Sequence, residues 1–165
     1  MWRDHYAHLA RYNHWQNGQI LAACATLDDG ERKADRGLFF HSIHGTLNHL
    51  LLTDRMWLGR FTDRPFPVDR LDQELYADFA TLERERRLTD QALLDYTATL
   101  DEARIDGELS YVSASTGQAR RYPMRLCLTH LFNHQTHHRG QLTAALSQLG
   151  RDFGTTDLIF MPADA

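Results

Sequence analysis

Two histidines one helical turn apart are spaced to share a metal ion: His134 and His138, in the run Asn133-His134-Gln135-Thr136-His137-His138-Arg139-Gly140-Gln141. On a helix, residues i and i+4 place their Cβ atoms roughly 5–6 Å apart, so both imidazoles can reach one ion at about 2.0–2.1 Å. Such a pair fills half a coordination sphere. His49, in Leu47-Asn48-His49-Leu50, interrupts an otherwise apolar helical face and is the candidate third ligand, from a second helix. Three imidazoles on facing buried stripes need a common explanation, either a hydrogen-bonded polar cluster or a metal ion. His137 points to another side of its helix. His130, one turn before His134, has either a plain packing role or serves as a fourth ligand or a hydrogen-bond donor to the ligands, and His5, His8, His14, His41 and His44 share no face with the site and are expected at the surface.

Three neutral imidazoles would leave a divalent ion its full charge and an open position, which suits activation of a bound water or thiol by lowering its pKa. The donor set suits Zn²⁺ and Ni²⁺ better than Mg²⁺ or Ca²⁺. Gln141 lies on nearly the same face and would either orient a ligand or make an interhelical hydrogen bond. Arg139 is expected to turn away from the seam into a structural ion pair. Asn13 and Gln16 would either close a local polar pocket or look onto a ligand cavity.

The helices that must position these groups are legible as four stretches of helical period separated by turn residues. The first runs over about 2–27, with Trp2, Tyr6, Leu9, Ile20, Cys24 and Leu27 on one stripe, and stops at Asp28-Asp29-Gly30. The second covers about 39–61 and ends before Pro65 and Pro67. The third covers about 72–100, where Leu75, Phe79, Leu82, Arg86, Thr89, Leu93, Tyr96 and Leu100 alternate by four and three as a bundle seam requires. Its charged run Glu83-Arg84-Glu85-Arg86-Arg87 reads as a solvated face with same-helix ion pairs. The fourth opens at Pro123 and stops at Gly150. Between 108 and 122 the pattern becomes a β-hairpin whose turn, Ser113-Ala114-Ser115-Thr116-Gly117, contains a glycine. The tail, with Leu158-Ile159-Phe160-Met161, is expected to fold back on the bundle. The fold class is therefore all-α: a four-helix bundle with a small β-hairpin insertion before the last long helix, one domain over residues 1–165.

Composition bounds the partners. The chain has 165 residues, 42% of them hydrophobic, and a formal net charge of -4. No excess of Lys and Arg exists from which to build a phosphate-binding surface, so nucleic acid is not an expected partner. No stretch is apolar enough for a membrane span, and the first residues lack the pattern of an export signal, so a soluble cytoplasmic protein is expected. Cys24 and Cys127 fall within apolar helical patterns and are expected as buried free thiols.

With these motifs in place, the chain resembles the DinB-like (DinB/YfiT) family of metal-binding four-helix bundles. The similarity is carried by Arg11-Tyr12-Asn13-His14-Trp15-Gln16-Asn17, by His44-Gly45-Thr46-Leu47-Asn48-His49-Leu50-Leu51-Leu52-Thr53-Asp54-Arg55-Met56-Trp57, by the run around His134 and His138, and by the ending with Asp157-Leu158-Ile159. The resemblance implies an up-down-down-up bundle with a long crossover between the second and third helices. It implies one divalent ion on His49, His134 and His138, and often a homodimer. Characterised relatives include thiol-dependent transferases and isomerases that use mycothiol, bacillithiol or glutathione. The family name records damage inducibility and implies no DNA contact.

Two rival architectures fail on absent residues. A ferritin-like di-iron bundle needs Glu-x-x-His pairs, and none occurs; a zinc protease needs His-Glu-x-x-His, and His134-Gln135-Thr136-His137-His138 lacks the Glu. Two functions remain: a metal-dependent thiol S-transferase or related enzyme acting on a low-molecular-weight thiol, and a non-catalytic metal-binding protein with a stress-response or interaction role. The first needs an open metal position in a pocket with polar walls such as Asn13, Gln16 or Gln141; the second needs that position closed by protein.

Overall fold

A computed structural model describes residues 1–114 and 116–164. Four long helices carry the architecture: α1 (Trp2–Ala25), α3 (Ile43–Phe61), α4 (Phe79–Thr99) and α6 (Met124–Gln148), with short helices α2 (Asp29–Lys33) and α5 (Glu102–Asp106) in the connections. Strands β1 (Glu108–Val112) and β2 (Ala119–Pro123) pair antiparallel, with Leu109 opposite Tyr122. The hairpin thus lies where the sequence predicts it, with Gly117 at φ 65°; Ser115, in the expected turn, lies outside the described residues.

Helix α1 packs on α4 and α6, and α3 packs on the same two, closing a four-helix ring. The N-terminal half of α1 shares an apolar cluster with the start of α6 and the ends of α3 and α4 (Tyr6, Leu128, Trp57, Leu93). Its C-terminal half meets the end of α6 and the starts of α3 and α4 (Ile20, Leu142, Leu47, Leu82). Helices α1 and α6 therefore run one way and α3 and α4 the other, an up-down-down-up order.

The termini of these helices follow from local chemistry, and they correct several expected boundaries. Asp28 accepts from the Glu31 N–H while Glu31 returns a bond to the Asp28 N–H, a capping box that turns the expected stop into α2. Helix α3 begins at 43, not 39, because the Ser42 hydroxyl accepts from the Gly45 N–H at 2.9 Å and His41 sits at φ 63°. Asp78 caps α4 through the Thr81 N–H, so 72–78 belongs to the crossover rather than to the helix. At the end of α6, Gly150 at φ 65° lets its own N–H bond to Ser147 O and that of Arg151 to Leu146 O, the left-handed stop expected there.

Between the two apolar clusters lies a polar layer drawn from all four helices. Arg86 is paired with Asp54 at 2.6 Å and Asp90 at 2.7 Å, all three nearly inaccessible to solvent. Asn17 donates to Asp90 at 2.9 Å, Gln135 donates to Asp54, and Arg139 donates to Asn13. Two carboxylates thus face two guanidiniums, and the charges balance inside the core. Arg86 belongs to this layer, as its place in the α4 seam predicts, and not to the solvated face expected for 83–87, although Arg87 does pair with Glu83 on that face. Arg139 turns inward, contrary to expectation. Asn13 also serves this layer, while Gln16 donates to the Thr155 carbonyl of the tail at 2.7 Å. The tail folds back through that bond and Tyr12 to Thr156 O at 2.5 Å, yet Ile159 stays 84% and Phe160 60% exposed, so much of its apolar run faces solvent. Cys24 and Cys127 are buried free thiols. No helix among the described residues is long and apolar enough to cross a membrane.

Candidate metal centre

The tertiary fold brings His49 of α3 together with His134 and His138 of α6. The His134 Nε2 atom lies 3.2 Å from the His49 Nε2 and 3.2 Å from the His138 Nε2, and the three ligand atoms fall within 4.8 Å of one another. Three nitrogens around a tetrahedral ion at about 2.0–2.1 Å would stand about 3.3 Å apart, close to the two separations at His134.

Hydrogen bonding at the far ring nitrogens sets the tautomers. His49 Nδ1 lies 2.8 Å from the Leu71 carbonyl oxygen, and His138 Nδ1 lies 2.8 Å from the Gln141 side-chain oxygen. Both contacts require N–H at Nδ1, which leaves a lone pair on each Nε2. His134 can place at most one proton between those two acceptors, and its own Nδ1 is buried without a partner. Lone pairs therefore converge on one point with too few protons to satisfy them, and the chemistry of this donor set fits a cation. Desolvation by burial holds His134 down to about 3, with the other histidines adding to the effect, and holds His49 down to about 4. His138 is lowered by burial too, partly offset by Gln141. The rings are thus neutral near pH 7, the form that binds metal.

The supporting residues come from segments the helical pattern does not reveal. Leu71 belongs to the crossover, which Asn48 clamps: its side-chain oxygen accepts from the N–H groups of Leu75 at 2.8 Å and Tyr76 at 3.0 Å. His44, expected at the surface, is buried beside it with Nε2 2.9 Å from Tyr76 O. The Phe40 ring stacks on the His49 imidazole at 3.7 Å between centres. A Cβ on Gly45 would collide with the Phe40 carbonyl, so a glycine is needed one turn before His49 for that loop to approach. Asn48 sits beside His49 in the sequence, a signal that was available; Leu71 and Phe40 gave none.

In front of the three nitrogens lies a cavity of about 720 Å³, walled by Phe39, Phe40 and Leu71 with His41, Asp72 and His137 as polar groups. Gln141 does not line the cavity and reaches it through its bonds to His138 at 2.8 Å and His137 at 3.5 Å. Asn13 and Gln16 are not among the residues around the cavity, so the polar wall expected from them is absent. His130 packs between Trp57, at 5.1 Å, and His134, at 5.8 Å, and is not part of the ligand group.

An up-down-down-up helical bundle with three histidines at one edge defines a class of protein able to hold a divalent ion. The chain belongs to the DinB family, whose model matches residues 1–164. It is 28% identical over 156 residues to Protein DinB of Bacillus subtilis (strain 168), covering 90% of this chain and 88% of that one. Its fold is similar to that of a DinB-like protein from Bacillus cereus, with a TM-score of 0.64 at 17% identity over 85% of this chain and 89% of the other.

Proposed function

We propose that this protein binds one divalent ion, Zn²⁺ or Ni²⁺, through His49, His134 and His138, and acts as a metal-dependent transferase on a low-molecular-weight thiol. The observation that carries the reading is the convergence of three Nε2 lone pairs onto the floor of an open cavity. A divalent ion bound there supplies a Lewis acid that lowers the pKa of a thiol. The chain supplies the rest. Leu71 O and Gln141 hold two of the rings in place, Phe40 shields one face of His49, and the apolar wall limits access of water. Asp72, kept ionised by its bond to Arg70 at 2.6 Å, stands at the rim where polar parts of a thiol substrate would pass.

The same proposal takes the protein as a cytoplasmic homodimer. Supporting this are the two reduced, buried cysteines and the exposed Leu158, Ile159 and Phe160 beside α1. The deciding experiment loads the protein with Co²⁺ and titrates glutathione between pH 6 and 8. A new near-ultraviolet band that strengthens with pH is expected; an unchanged spectrum at every pH leaves a metal-binding protein without thiol chemistry.

A further inference from the structure

A second cavity, of about 310 Å³, lies between the last turn of α3, the segment after it and the β-hairpin, and shares no lining residue with the histidine cavity. Met56, Phe66, Val68 and Val112 give it apolar walls, and Arg60 and Asp63 give it two opposite charges. The guanidinium carbon of Arg60 lies 4.6 Å from the Trp57 ring centre and 4.1 Å from that of Tyr111, so its faces are taken by aromatic rings. Its N–H donors are not: among the described residues no oxygen accepts from them and no carboxylate lies within 4.0 Å. Partial burial of Arg60 strips it of water without replacing that water by a protein acceptor. Asp63 likewise has no hydrogen bond or ion pair among the described residues. Three positions apart, the two do not pair with each other.

The cavity is built rather than incidental. The Arg64 N–H bonds to Gly59 O at 2.8 Å, and a Cβ on Gly59 would stand 2.6 Å from Arg64 O and 2.9 Å from Phe66 N. The glycine thus lets the segment bearing Asp63 and Phe66 press onto the helix that carries Arg60.

A partly dehydrated guanidinium without a partner favours a carboxylate, in a charge-assisted pair stronger than a neutral hydrogen bond. Asp63 would repel a plain anion and favours an ammonium. The volume is at the low end for small-ligand sites, about 300–1,000 Å³, which admits a single small molecule and not a peptide. We infer that this cavity is a binding site for a small apolar α-amino acid in its zwitterionic form, with the carboxylate on Arg60, the ammonium toward Asp63 and the side chain against Met56, Phe66 and Val68. The inference does not depend on the metal or on thiol chemistry.

The test titrates the metal-loaded protein with L-leucine by calorimetry, and follows the indole N–H resonance of Trp57, assigned with Trp57→Phe. Saturable binding with a shift of that resonance is expected. Two comparison ligands each lack one pole: 4-methylpentanoate has no ammonium and isoamylamine no carboxylate, and each should bind at least about tenfold more weakly. Arg60→Met, which keeps the stem between the rings, should weaken leucine binding by at least about tenfold. Asp63→Asn, on an exposed turn, should weaken leucine and strengthen 4-methylpentanoate. Absence of saturable leucine binding in the millimolar range overturns the site, as does undiminished binding in Arg60→Met. Equal affinity of the wild-type protein for 4-methylpentanoate overturns the zwitterion.

Discussion

Helix α6 carries two polar pairs offset by one residue, His134 with His138 and Gln135 with Arg139, and the bundle treats them in opposite ways. Gln135 and Arg139 point into the core and join a set in which two carboxylates meet two guanidiniums. His134 and His138 point to the edge shared with α3 and join a set of three acceptor nitrogens with no cation among them. Both sets are polar and largely withdrawn from solvent, the outer one less so because it borders the cavity, but burial alone does not explain the difference. Charge balance does: the carboxylates and guanidiniums of the inner set offset one another within the chain, while the outer set gathers imidazole nitrogens that could hold a cation.

The largest expected effects come from breaking each set at its hub. His134→Ala should abolish binding of the single divalent ion, read by metal analysis of purified protein, while leaving the fold intact; His137→Ala should keep the ion. Full occupancy in His134→Ala would remove the assignment. Arg86→Met should do the reverse, because it strands Asp54 and Asp90 without their shared cation. A loss of about 3–5 kcal/mol of stability is expected on denaturant unfolding, with the ion still bound by the folded fraction. An Arg86→Met protein as stable as the parent would mean that the layer contributes no net pairing energy.

A smaller effect sharpens the outer set. Gln141→Leu removes the acceptor for His138 Nδ1 without touching a ligand. Metal affinity measured by chelator competition should fall about 10–100-fold, with melting of the metal-free protein unchanged.

Acid should separate the two regions in the metal-free protein, more gently. His49 and His134 titrate near 4 and 3 in the folded chain, below the ordinary 6.5, so the unfolded chain binds protons there first. Their contribution is intact above about pH 6.5 and is lost as pH falls toward 4. Asp54 runs the other way: burial raises it to about 6 from 3.8, so its contribution is present below 3.8 and lost as pH rises through 6. Proton uptake at Asp54 thus opposes the loss at the histidines. In Asp54→Asn the melting temperature of the metal-free protein should fall more steeply between pH 7 and 4.5 than in the parent, and a shallower fall would contradict this sign.

Local spacing was enough to find the four long helices, the hairpin, the Gly150 stop, the buried thiols and the three histidines. Each depends on a periodicity within one segment, or on a polar residue breaking it. The sequence alone did not show the second buried face of α6. A helical wheel assigns one inward stripe, but α6 packs on α1 and α3 together, so its inward arc is wide enough to bury Gln135 and Arg139 beside the histidines. The same limit applies to His44, whose partner lies on the crossover. It applies most strongly to the candidate metal centre. The Leu71 carbonyl that orients His49 and the Phe40 ring that covers it come from irregular segments with no period to read, and only chain packing across the crossover and the 35–42 loop brings them to the site.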